Sequence, residues 1–305
     1  MATACSCNEP LVNTGLPGCV TIPDITQKLI LVPLEDSAGA ANSIDLTATL
    51  DQAYFDALIS NSDDTKRFYP TPRVYSVESV RDAPVTEDID GSPFFVKDSA
   101  LPFVASFVRV PPDFTAKINE WRCQKNIGAF LLDGSGRIIG DKSTSGELRP
   151  LKINENTLYC NFVPATETTV AKGSLNFEFD DSVSDSIIGV INPSDLDDVN
   201  PLTFEGLIDL TVTEAAGTTD SSFTLVTATD YGSVVNPEGA PNLVAADWDV
   251  YNDTTMAAVS VTLTESPRGT YAFAFTAQTS GDELTVTLAS GVTGYDWDGI
   301  TITLP

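Results

Sequence analysis

Apolar and polar residues alternate in short runs along most of this chain, and a proline, glycine or acidic cluster ends nearly every run. Runs of that length predict β-strands. In the first half they fall at Arg73–Val80, Phe94–Lys97, Pro102–Val110, Gly128–Leu132, Arg137–Gly140, Glu147–Ile153, Thr157–Val163 and Gly173–Phe179. Phe177 and Phe179 flank Glu178, so that strand buries one face and wets the other. Asp133-Gly134-Ser135-Gly136, set between two apolar runs, predicts a hairpin turn. Pro70, Pro72, Pro84, Pro93 and Pro102 punctuate residues 68–107, a pattern that predicts long hairpins reaching away from a core. Two segments carry helical spacing instead. Tyr54 with Leu58 and Phe55 with Ile59 predict a turn or two over Leu50–Ser60, and Phe114, Ile118 and Trp121 predict a helix over Phe114–Gln124 with Asp113 as its cap.

Residues 1–45 read as an extended arm, since Pro10, Pro17, Pro23 and Pro33 interrupt them and only Lys28–Leu34 is strand-like. Residues 46–200 then form a mainly antiparallel β domain, sandwich- or barrel-like, with one helix. Ile191–Pro201 combines two prolines with Asp195, Asp197 and Asp198 and reads as a linker, which sets the boundary near residue 200. Six further runs, Gly206–Thr213, Phe223–Ala228, Ala258–Glu265, Thr270–Thr276, Glu283–Ala289 and Ile300–Leu304, predict a small β-sandwich over 201–305. Two domains suit a chain of 305 residues.

Charge narrows the function. The chain holds 43 acidic and 16 basic residues, a formal net charge of -27, which repels phosphate backbones and argues against tight nucleic-acid binding. Residues 201–305 carry 14 acids and the single base Arg268, a net of -13. No run approaches the roughly 18 apolar residues that span a bilayer, and Met1 to Pro10 has neither a cationic nor an apolar leader region, so neither an anchor nor a secretion signal is expected. Five cysteines, an odd count, argue for synthesis in a reducing cytosol.

Chemistry is sparse. The chain has no histidine, which removes the usual general base, metal ligand and partner of a nucleophile. Gly134 and Gly136 sit in a hairpin turn and not in a phosphate loop. Acidic groups at Asp63/Asp64, Glu87/Asp88/Asp90, Asp180/Asp181 and Asp197/Asp198 are what 43 acids produce by chance, and solvated turns are their ordinary reading against a glycosidase pair. Cys5, Cys7 and Cys19 lack an evident fourth donor for zinc, leaving free thiols, a late disulfide or a metal as alternatives. Tyr271, Phe273 and Phe275 alternate as core residues do; the sharper reading is a glycan-stacking platform shared with Trp248 and Trp297, each flanked by two aspartates. No catalytic, cofactor-binding or metal-ligating residue is assigned, and the chain is expected not to be an enzyme.

Several stretches carry a family likeness. Asn13-Thr14-Gly15 before Cys19, the run Ile44 to Leu58, Lys66-Arg67-Phe68-Tyr69-Pro70-Thr71-Pro72 and Leu131 to Gly140 together resemble structural proteins of tailed bacteriophages infecting Bacteroidetes-type bacteria, over roughly the first 190 residues. The order of arm, hairpins, helix and antiparallel strands is similar to that of tail-tube proteins. Ala246-Asp247-Trp248-Asp249-Val250, Gly269 to Phe273 and Ser280 to Val286 resemble the immunoglobulin-like modules appended to phage virion proteins, without the Cys…Trp…Cys signature of antibody domains. The resemblance implies a virion subunit made in the host cytoplasm that self-assembles into stacked rings of a tail tube. DNA would pass through its channel without specific binding, and the immunoglobulin-like module would project outward. Other virion proteins and host surface glycans are the further partners it implies, with no membrane. A capsid-associated or baseplate protein, or a glycan-binding adhesin, is the alternative.

Overall fold

The computed structural model describes residues 21–233, 235, 237–289 and 294–305. The fold is mainly β, with several antiparallel sheets and, among the described residues, two α-helices. Two compact units emerge, one from residues 21–55 and 68–204, the other from 56–67 and 205–305. The chain passes to the second unit after Phe204, just beyond the proline-rich stretch. That residues 56–67 also belong to the second unit is something no single cut along the sequence anticipates.

The elements run β1 (Thr26–Pro33), β2 (Ile44–Asp45), α1 (Gln52–Ile59), β3 (Tyr69–Pro70), β4 (Val74–Glu78), β5 (Val85–Ile89), β6 (Ser92–Lys97), β7 (Leu101–Val108) and α2 (Pro112–Glu120). They continue with β8 (Ile127–Asp133), β9 (Ile138–Asp141), β10 (Glu147–Leu148), β11 (Leu151–Lys152), β12 (Tyr159–Val163), β13 (Lys172–Phe179) and β14 (Ile188–Ile191). One sheet of the first unit has the order β14-β9-β8-β1-β3, with β11 also paired to β8; a second has the order β12-β13-β7-β4. Pro150 splits the expected strand Glu147–Ile153 into β10 and β11, because proline brings no N–H to a ladder.

β1 corrects the expected arm. It lies inside the first sheet, antiparallel to β8 from Thr26↔Asp133 to Pro33↔Ile127 and bordered by β3 at Ile30↔Pro70. The other part of that expectation, residues 1–20, lies outside the described residues. The run Leu29-Ile30-Leu31-Val32 is apolar at consecutive positions because both faces of β1 are covered. Leu29 and Leu31 enter the core shared with Phe103, Phe107, Leu175 and Phe177 of the second sheet, where Phe103 stacks on Phe177 at 4.9 Å. Ile30 and Val32 point the other way by alternation and are equally buried. Each fully buried side chain of this size contributes about 1.5–3 kcal/mol.

Helix α2 starts at Pro112 with Pro111 as its cap residue and no side-chain cap bond, so Asp113 is an exposed first-turn acid and not the expected cap. Its inner face buries Thr115 and Ile118 and sets Phe114 edge-on to Phe107 at 5.2 Å. Asn119 fixes it to β12: its Nδ2 donates to the Cys160 carbonyl at 2.7 Å and its Oδ1 accepts from the Cys160 N–H at 2.9 Å. The Asp133 turn forms the β8–β9 hairpin as predicted. Asp133 is fully buried, and its carboxylate accepts from the backbone of Asp24, Ser135 and Arg137, each at 2.9 Å, and from Arg137 Nη1 at 3.2 Å.

The stretch expected to be a linker folds onto the first unit instead. Leu196 and Phe204 are buried, Phe204 packs on Phe55 at 4.8 Å, and the Asp197 N–H donates to the Leu50 carbonyl. The carbonyls of Leu202 and Phe204 receive the buried ammonium of Lys28.

The second unit contains β15 (Ile208–Thr219), β16 (Ser222–Thr229), β17 (Trp248–Asn252), β18 (Ala257–Ala258), β19 (Val261–Glu265), β20 (Thr270–Phe275), β21 (Glu283–Leu288), β22 (Tyr295–Asp296) and β23 (Ile300–Thr303). Its sheets have the orders β19-β20-β16-β15-β22 and β18-β17-β21-β23. With the two-residue β22 set aside, which pairs parallel to β15 at the sheet edge, and the other strands lettered A to G in chain order, these orders correspond to the D-E-B-A and C′-C-F-G arrangement that immunoglobulin-like sandwiches also have. Trp248 occupies the strand C position at 4% exposure, against Phe273 at 5.2 Å and Tyr271 at 5.6 Å. Where antibody domains bridge strands B and F with a disulfide, this unit packs Phe223 and Leu225 with Leu284 and Val286. Trp248→Ala is expected to cost about 3–5 kcal/mol in urea unfolding of the full chain, because the void sits where the two sheets meet. A loss under 1 kcal/mol would show that the tryptophan is not central to that core.

Candidate assembly surface

Residues 74–108 form one long hairpin. Its base is built into the second sheet, where β4 pairs with β7 from Val74↔Phe107 to Glu78↔Val104. Its outer part is the two-stranded ribbon β5–β6, with Thr86 opposite Phe95, Glu87 opposite Phe94 and Ile89 opposite Ser92. Asp90 and Gly91 close it, both at positive φ, 54° and 79°. That is the backbone of a two-residue I′ turn, for which Asp-Gly is a favoured pair. The six residues of β6 span about 20 Å at strand rise.

Polar ties hold the root. Arg81 reaches the carbonyls of Ser99 and Val183 through Nη1 and Nη2, at 3.3 and 2.9 Å, and Ser99 Oγ donates to the Ala83 carbonyl at 2.6 Å. Lys97 stands 3.8 Å from Asp181. Beyond these ties nothing among the described residues covers the ribbon, and every residue from Asp82 to Asp98 is exposed.

The exposed residues are not those of a solvated loop. Phe94, Phe95 and Ile89 are about half exposed, and Val85 and Val96 nearly so. The register places Phe94 and Val96 with Glu87 and Ile89 on one face, and Phe95 with Thr86 and Asp88 on the other. An isolated two-stranded ribbon is marginal in water, and this one is apolar on both faces with neither edge paired among the described residues. The sequence reading marked hairpins here yet took Glu87, Asp88 and Asp90 only as a carboxylate cluster. The signal it passed over is Asp90-Gly91 between Val85-Thr86-Glu87-Asp88-Ile89 and Ser92-Pro93-Phe94-Phe95-Val96.

The other candidates resolve into structural roles. Trp248, Tyr271 and Phe273 are core, and Phe275 and Trp297 are half-buried against them, Trp297 at 5.8 Å from Trp248, so most of the expected stacking platform is core. The Tyr271 hydroxyl donates to the Ala240 carbonyl at 2.6 Å and accepts from the Leu243 N–H at 3.1 Å, and burial pushes its pKa up. Asp63 and Asp64 pair with Lys66 and Arg67 within one turn. Burial raises the Asp180 carboxyl, but the Ser182 bonds and Lys152 at 3.2 Å outweigh it and hold the group below its ordinary range. Among the described residues no three acids or cysteines converge as a metal site. Cys5, Cys7 and Cys19 lie outside those residues. Cys160 is buried, its thiol raised by desolvation to about 11. A shallow depression of about 640 Å³ beside Asn242 and Glu265 is polar, and Glu265 already accepts from the N–H groups of Asn242 and Gly269. Among the described residues no helix is long and apolar enough to cross a membrane.

No protein-family model matches the chain, and no curated protein matches it either.

Proposed function

We propose that this chain is a structural subunit of a tailed-phage virion that self-assembles into the rings of a tail tube. One observation carries the reading: the β5–β6 ribbon exposes phenylalanine on both faces and leaves both edges unpaired, a state that neighbouring copies would relieve. The net charge of -27 supports it further, since a channel wall of that sign lets DNA slide without adhering. An appended immunoglobulin-like unit is in keeping with a virion surface module. No histidine and no convergent acid cluster among the described residues suggest a competing chemistry.

Sedimentation velocity and negative-stain microscopy of the purified full chain test the proposal. Rings or tubes that grow in as the concentration rises from about 1 to about 100 µM are the expected result. A monodisperse monomer across that range, with no ring, tube or lattice on the grid, would overturn it.

A further inference from the structure

We infer that the tip of the β5–β6 ribbon docks on the α2 surface of a second copy of this chain, an inference that rests on the assembly reading above. Between Glu87 and Val96 the ribbon carries three exposed carboxylates, Glu87, Asp88 and Asp90, and no base. They alternate with Ile89, Phe94, Phe95 and Val96. The complementary surface must therefore present apolar atoms bordered by positive charge.

Such a surface is scarce on a chain with 16 bases against 43 acids. Several of the bases are also committed elsewhere: Arg81 to the ribbon root, Arg137 to Asp133, Lys152 to Asp180 and Arg149 to Glu147. One region meets the requirement. Arg109, Lys117, Arg122 and Lys125 fall on α2 and its flanks, facing only Asp113 and Glu120 over residues 109–125. Arg109, Arg122 and Lys125 are exposed, and among the described residues none of them is ion-paired to a carboxylate. Apolar surface lies among them. Trp121 is half-buried directly before Arg122, and the half-exposed Val170 adjoins Arg109, whose N–H donates to the Ala171 carbonyl at 3.0 Å.

Both surfaces are exposed on the same copy, so the tip does not cover its own α2. Donor and acceptor are also different patches. A contact between them is heterologous and propagates head to tail into a ring or a helical tube, whereas a self-complementary patch would stop at a two-fold dimer. The inference thus supplies a geometric reason for closed or stacked assemblies.

Charge reversal tests it on the full chain. One variant carries Glu87→Lys, Asp88→Lys and Asp90→Asn, asparagine keeping the positive φ of the turn; a second carries Arg122→Glu and Lys125→Glu; a third combines all five. Each of the first two is expected to raise the concentration needed for assembly at least tenfold, with little change in melting, because all five side chains are exposed and, among the described residues, Arg122 alone of the five bonds within the fold, to Asn119 Oδ1 at 3.1 Å. The third, with both signs inverted, is expected to assemble again near the native concentration. If the native chain assembles but the separate reversals leave assembly intact, or the combined chain fails to recover, the docking assignment is wrong while the assembly reading stands. If the native chain does not assemble, both fall.

Discussion

If the native chain forms rings as proposed, the double variant Phe94→Ser, Phe95→Ser is expected to stay monomeric at the same concentrations. The two rings sit on opposite faces of the ribbon at 53% and 48% exposure, so neither contributes much to the fold of a single copy. Aromatic anchors of this kind are worth about 2 kcal/mol or more each at an interface, roughly 30-fold in affinity. Losing both should weaken association by about a thousandfold if the two contributions add. Unfolding should move by no more than about 0.5 kcal/mol, as for other surface positions. Sedimentation velocity read beside thermal melting separates the two effects. Intact assembly with a lowered melting temperature would mean that the phenylalanines serve the fold and not its neighbours.

Asp133→Ala is expected to be the most damaging single change in the first unit, with a loss of about 3–5 kcal/mol at neutral pH. The substitution strands the partly buried Arg137 guanidinium and removes the acceptor of three backbone N–H groups. Its pH dependence has a definite sign. Burial pushes the Asp133 carboxyl up, but the bonds from Asp24, Arg137 and Ser135 together outweigh it and hold the folded group below the ordinary carboxylate value. A group lowered on folding stabilises the fold above its unfolded pKa, about 3.9, and loses that contribution as pH falls through the folded value. The gap between native and variant should therefore be full near pH 7 and shrink below about pH 4. Urea unfolding of both at neutral and acidic pH measures it, and a gap that stays constant would assign the loss to packing alone.

Much of this architecture is legible in the residues. The Asp133-Gly134-Ser135-Gly136 hairpin, the alternation through Phe177 and Phe179, and the runs that become β16, β19, β20, β21 and β23 all follow from period and turn chemistry. What escapes has a physical pattern. The strand-like run that becomes β1 shows in the sequence, but the prolines around it suggest an arm, and a run without alternation does not say which sheet covers both its faces. β17 does alternate, with Trp248, Val250 and Asn252 buried and Asp249 and Tyr251 exposed, but the aspartates beside the tryptophan suggested a wet surface. In a strand the neighbours of a core residue face the opposite way, so their charge says nothing about its burial. The strap after Ile191 failed differently. Its prolines and aspartates predict irregular backbone, which it has, but cannot reveal that Leu196 and Phe204 find a core to enter. At the ribbon the expectation of long hairpins was sound, and the aromatic pair on its tip was read as an ordinary strand because sequence alone does not show what lies opposite.

The partners of β1 also set the order in which a nascent copy matures. Thr26 must wait for Asp133, about a hundred residues later, and translation at about 5–20 residues per second makes that delay about 5–20 seconds. The β5–β6 turn, joining neighbours in sequence, closes within microseconds of emerging. If the chain assembles as proposed, each copy on the ribosome would therefore present its apolar β5–β6 tip before its own central sheet can knit. Crowded polysomes would bring such half-made copies together, and a chaperone that shields Leu29 to Val32 during this interval would raise the yield of correctly built subunits.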